Sequence, residues 1–83
     1  MAGEPTVTPG QGKITVSCTG KGGQKLEIDI FQGTTQVVNQ GETLDGSGKG
    51  TYPFTLPAAT YDVKVTIPSP GGQVFDFPNQ VVT

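Results

Sequence analysis

Between Thr51 and Ile67 the chain reads Thr-Tyr-Pro-Phe-Thr-Leu-Pro-Ala-Ala-Thr-Tyr-Asp-Val-Lys-Val-Thr-Ile. Two alternating patterns meet here at a short corner. Tyr52, Phe54 and Leu56 share one face of the first. Tyr61, Val63, Val65 and Ile67 share one face of the second, with Asp62, Lys64 and Thr66 opposite. A strict period of two is the mark of half-buried antiparallel strands. Pro57 has no N–H to give a ladder, so the first strand is expected to end there.

The same period recurs along the chain, and no segment has helical spacing. Lys13–Thr19 puts Ile14, Val16 and Cys18 on one face. Lys25–Gln32 puts Leu26, Ile28 and Ile30 inward, with Lys25, Glu27, Asp29 and Phe31 outward. Short strands are expected around Val37–Val38 and Glu42–Leu44, with a turn at Asp45-Gly46-Ser47-Gly48. Gln73–Phe77 is a further strand, which Pro78-Asn79 breaks or bends, and Val81–Val82 is a last short one. Gly20-Lys21-Gly22-Gly23 reads as a hairpin-type turn, and Pro68-Ser69-Pro70-Gly71-Gly72 as a wide one. Thirteen glycines and seven prolines in 83 residues suit such a turn-rich chain. Charged residues make up only 14%, unlike the composition of a disordered chain. The expected fold is an all-β antiparallel sandwich of six to seven strands over residues 13–83.

Residues 1–12 read as an extended N-terminal arm. Two readings are open for it: a frayed terminus, or an arm that orders on a partner through Glu4, Pro5, Thr6, Val7, Thr8 and Pro9. Phe31 breaks a polar strand face. It either covers the end of its strand or meets a partner.

Composition excludes several functions. The chain has no His, so Ser-His and Cys-His nucleophiles and His-bound metals are ruled out. Cys18 lies on an apolar face and reads as a core residue. Net charge is −2, Arg is absent and the five Lys are scattered, so there is no basic stripe for nucleic acid. No apolar run approaches the ~20 residues of a membrane helix. The start resembles neither a signal peptide nor an anchor, so the domain is expected to act where it is made, or to be a piece of a longer exported chain.

The remaining candidates are weak. Glu27 and Asp29 share a strand face about 6–7 Å apart, which suits a glycosidase pair, but an ordinary solvated face is the expected reading. Gly46-Ser47-Gly48-Lys49-Gly50 resembles a phosphate loop, yet Gly50 stands where Ser or Thr is needed and no helix follows. Asp45-Gly46-Ser47 is too short for an EF-hand loop, which leaves only a weak calcium site open. Trp is absent, so an aromatic platform for sugars would need Phe31 or the Phe75/Phe77 strand.

Residues 50–65, from Gly50 through Tyr52, Phe54, Leu56-Pro57 and Tyr61 to Val65, resemble immunoglobulin-like sandwiches of two kinds. One is the prealbumin-like repeat of bacterial surface proteins and carboxypeptidase regulatory domains. The other is the fibronectin type III domain, although its core Trp is missing here and Ala59 stands where a Gly is usual. The resemblance implies that Leu56, Pro57 and Tyr61 form a structural corner, with the Tyr61 hydroxyl bonded back to backbone. Pilin-type relatives of the first kind join a Lys to an Asn with the help of a Glu before the corner. Thr55 stands at that place, so no crosslink is expected even from Lys13 and Asn79.

As a small sandwich without disulfides or an export signal, the chain is also similar to bacteriophage structural and decoration proteins. That likeness implies a non-enzymatic module with no cofactor, assembled in the host cytoplasm onto a virion and binding capsid or tail subunits. The alternative expectation is an extracellular adhesion or carbohydrate-binding module of a larger bacterial protein, binding a host-surface glycan.

Overall fold

The computed structural model describes residues 4–68 and 71–83. The first residues of the expected arm, 1–3, and two of the expected wide turn, 69–70, lie outside the described residues. Seven strands form two antiparallel sheets: β1 (Thr6–Gly10), β2 (Lys13–Thr19), β3 (Lys25–Gln32), β4 (Thr35–Thr43), β5 (Lys49–Thr55), β6 (Ala59–Ile67) and β7 (Gln73–Val82). One sheet has the order β1-β2-β5 and the other β4-β3-β6-β7. The fold is a β-sandwich measuring 33 × 22 × 16 Å.

The alternation read from sequence explains the layering. Ile14 and Val16 of β2 are fully buried, and so are Ile28 and Ile30 of β3 and Val65 and Ile67 of β6. Each such side chain is worth about 1.5–3 kcal/mol relative to exposure. This layer therefore dictates which face of each strand turns inward. Cys18 joins it at 3% exposure, and burial pushes its thiol above the ordinary range. Tyr52, Phe54, Phe75 and Phe77 pack against it from the margins.

The expected strands β2 and β3 have the observed bounds, but four expectations change. The N-terminal stretch is not a loose arm from Thr6 onward. It is an edge strand, paired from Thr6↔Ser17 to Gly10↔Lys13. Pro9 hid this, yet an edge strand tolerates proline because one side of it needs no ladder donor. The two short strands expected near Val37–Val38 and Glu42–Leu44 are one strand, β4. Gln73–Phe77 and Val81–Val82 are also one strand, β7. Finally, Gly20-Lys21-Gly22-Gly23 turns the chain from one sheet to the other and does not close a hairpin between paired strands.

Backbone hydrogen bonds fasten both ends of the sandwich. At one end Thr83 N–H donates to Gly10 O (3.2 Å), Gly12 N–H to Thr83 O (2.9 Å) and Leu56 N–H to Gly12 O (2.9 Å). At the other, Gly20 N–H donates to Gly48 O (2.7 Å) and Gly23 N–H to Asp45 O (3.2 Å). Gly48 has φ +81°, and a Cβ there would run into the carbonyl of Gly20. The corner is as the resemblance implied. Tyr61 is 2% exposed, and its hydroxyl donates to Pro57 O at 2.7 Å. Leu56 is buried beside it, while Pro57 is exposed.

Two stability predictions follow from these contacts. Tyr61→Phe leaves the Pro57 carbonyl without its donor and should cost about 1–2 kcal/mol in urea unfolding, with an unchanged m-value. Gly48→Ala adds both a clash and a disfavoured φ, and should cost at least ~2 kcal/mol in the same assay.

Candidate functional site

The outer face of the four-stranded sheet carries most of the chemistry. Strand register lays its side chains out in rows. One row runs Asn39, Asp29, Lys64, Asp76 across β4, β3, β6 and β7. The next sets Gln36 opposite Phe31 and Phe31 opposite Asp62. On the other side, Gly41 lies opposite Glu27, and Glu27 opposite Thr66.

Two irregularities shape this face. Between Ile30 and Phe31 the β3–β4 register shifts, so that Val37 is the extra residue. Between Tyr61 and Val63 the β6–β7 register shifts too. Tyr61 faces Gln80 and Val63 faces Phe77, which leaves Pro78 and Asn79 against Asp62 alone. This is a β-bulge, where proline is tolerated. Asn79 takes φ +59°, a conformation Asn adopts more readily than most residues. Its N–H donates to Asp62 Oδ1 at 3.0 Å.

An open groove of about 230 Å³ lies beside this bulge. Phe31, Val63, Phe77 and Pro78 supply its apolar surface, and Asp62, Lys64 and Asp76 its charged lining. Phe31 is half-buried there, so the residue singled out from sequence does line a concavity. The other residues proposed for partner binding lie elsewhere. Pro5 is buried, Glu4 is exposed, and Thr6, Val7, Thr8 and Pro9 belong to β1 in the other sheet. None of them lines the groove.

Glu27 and Asp29 do not form the plain solvated face expected. Asp29 is only 7% exposed. Its Oδ1 accepts from Gln36 Nε2 (2.7 Å) and Asn39 Nδ2 (2.5 Å), both on β4. Glu27 is held above the usual carboxylate range, first by a side-chain hydrogen bond to Asp29 and then by the Asp29 charge. Lys64 and Asn39 pull in the opposite direction. Sequence spacing showed that the two acids were neighbours. That Asp29 would be enclosed depended on β4 lying alongside, which spacing alone does not report.

The glycine-rich loop is also committed internally. Asp45 Oδ1 accepts from Ser47 N–H (2.9 Å), Ser47 Oγ (2.7 Å) and Lys49 N–H (2.9 Å). These bonds, Lys49 N–H first, hold the Asp45 carboxyl below its usual range. The amides that a phosphate would need are thus taken by the chain's own carboxylate. Among the described residues, no group of three or more Asp, Glu or Cys is placed to hold a metal ion. Lys13 is in the three-stranded sheet opposite Thr55, whereas Asn79 sits in the β7 bulge of the other sheet. Compared with models of known protein families and with curated proteins, the chain matches none.

A raised carboxyl pKa means the folded chain keeps that proton to a higher pH than the unfolded chain does. The stabilisation is present at acid pH and is lost as pH rises through the raised value. Glu27→Gln removes the repulsion left at neutral pH. It should therefore be more stable than the parent near pH 7, with the gain shrinking as pH falls below the ordinary carboxylate range of about 4. Urea unfolding of both proteins at the two pH values is the check.

Proposed function

We propose that the chain is a non-enzymatic binding module that docks a protein partner through the groove beside Phe31. The observation carrying this reading is the groove itself. A half-buried aromatic, a proline and the edges of core residues form an apolar patch lined by Asp62, Lys64 and Asp76. An apolar centre with a charged margin is the usual anatomy of a protein contact, and aromatic residues dominate its energetics. Two of the carboxylates that could have served an acid–base reaction have other occupations. Asp29 is bound by two amides of β4, and Asp45 by its own loop.

The setting we propose is a virion, with this domain decorating or joining capsid or tail subunits after assembly in the host cytoplasm. Support comes from the sandwich fold, which closes around a single core without any disulfide. The tyrosine corner supports the likeness to immunoglobulin-like modules. Relative to the immunoglobulin constant arrangement of four strands against three, here the fourth strand joins the other sheet.

The test is to probe gradient-purified particles from the producing cells with an antibody to the chain. Co-sedimentation is expected, and a chain found only in the soluble fraction would sink the virion setting. Phe31→Ala should weaken binding to the particle at least ~10-fold with little change in melting. Saturable polysaccharide binding that the same substitution abolishes would instead place the chain among adhesion or carbohydrate-binding modules.

A further inference from the structure

A two-sheet sandwich of this size has four edge strands: β1 and β5 in one sheet, β4 and β7 in the other. Each edge exposes backbone groups that can pair with another strand. Three of the four carry a proline. β1 has Pro9, β5 has Pro53, and β7 has Pro78 within its bulge. β1 also runs beside β7, and Thr83 bonds to the turn that follows β1.

β4 carries no such block. It spans nine residues, Thr35–Thr43, with no proline and no lysine. From Thr35 to Gly41 it has no charge at all, and Glu42 is its one ionisable residue. Its bulge at Val37 lies near one end. From Val38 to Thr43 the register with β3 is unbroken. Gln36 and Asn39 reach across to Asp29, which pins β4 against β3. An edge held in place in this way loses little further freedom when another strand adds to it.

We propose that β4 is the interface through which two copies of this chain join, edge to edge and antiparallel, into one continuous eight-stranded sheet. This interaction is separate from the groove and does not depend on which partner the groove takes. Apart from Glu42 the edge is uncharged, so it gives little preference for a basic or an acidic partner strand. The strand that matches it is another neutral strand rich in Gln, Asn and Val, which a second copy supplies. A register centred on Gln40 keeps inward Val38, Gln40 and Glu42 opposite inward residues. It sets Glu42 opposite Val38, whereas a register centred on Glu42 would bring like charges together. A two-fold axis through such a register makes the contact isologous and closed, so pairing stops at the dimer.

The experiment is sedimentation equilibrium of the full chain from about 1 µM to about 1 mM, a range that spans weak to moderate association. The parent should pass from 8.6 kDa towards twice that mass. Gln40→Lys puts a charge on the exposed edge and should remain monomeric over the same range, with an unfolding midpoint equal to the parent's at the dilute end, where the parent is monomeric too. Gln40→Pro and Gly41→Pro complete the set. Adjacent strand residues direct their N–H groups to opposite sides, so one of the two substitutions spares the β3 ladder and leaves the chain folded. Loss of dimer in Gln40→Lys or in that folded proline variant supports the interface. A parent that stays monomeric throughout overturns the proposal, as does a dimer that persists in both variants.

Discussion

Everything in this fold depends on one apolar layer shared by two sheets. The layer is thin, and β2, β3 and β6 supply its fully buried Ile and Val side chains. A chain of 83 residues has no second core to fall back on. Each passage from one sheet to the other must therefore keep the next strand in phase with the layer, because a slip of one residue would turn its apolar side chains to water. The passages are held accordingly. Tyr61 fastens the step from β5 to β6 with its bond to Pro57, and Gly20 and Gly48 interlock where two other passages run side by side. The crowding there explains why glycine occupies Gly48, since no side chain fits against the Gly20 carbonyl.

With the inner faces committed, the variety lies outside. Two register shifts on the four-stranded sheet displace single residues, and both occur next to the candidate surface. One lies at Phe31. The other brings Asp62 against Pro78 and Asn79, beside the groove. Two acidic groups on this face, Glu27 and Asp29, are not independent, and amides of β4 hold Asp29. The same amide bonds that satisfy a nearly buried carboxylate also pin β4 against β3.

Much of the core was legible from sequence. Alternation alone placed Ile14, Val16, Cys18, Leu26, Ile28, Ile30, Val63, Val65 and Ile67 on inner faces, and all are buried. Tyr61 was legible through the resemblance of its surroundings to a tyrosine corner. The errors came where proline or glycine was taken as a stop. Pro9 and Gly10 disguised β1, Pro78 divided β7, and Gly41 divided β4. In each case an edge position or a bulge made the residue harmless, and edges and bulges arise only once strands have neighbours. The candidate surface was half legible. Phe31 stood out as the wrong residue for its face, but nothing in the spacing indicated Asp62, Lys64, Asp76 or Pro78 as its company.

By itself the sequence determined the strand class, the inward face of the central strands and the corner at Tyr61. Those depend on neighbours within a few residues, which a period of two and a single proline report directly. Only the tertiary structure decided the strand order, the enclosure of Asp29, the groove beside Phe31 and the absence of a proline from just one of four edges. Those features depend on which strands lie side by side. Strand order is set by closing a common core between residues far apart in the chain, and no local pattern records it.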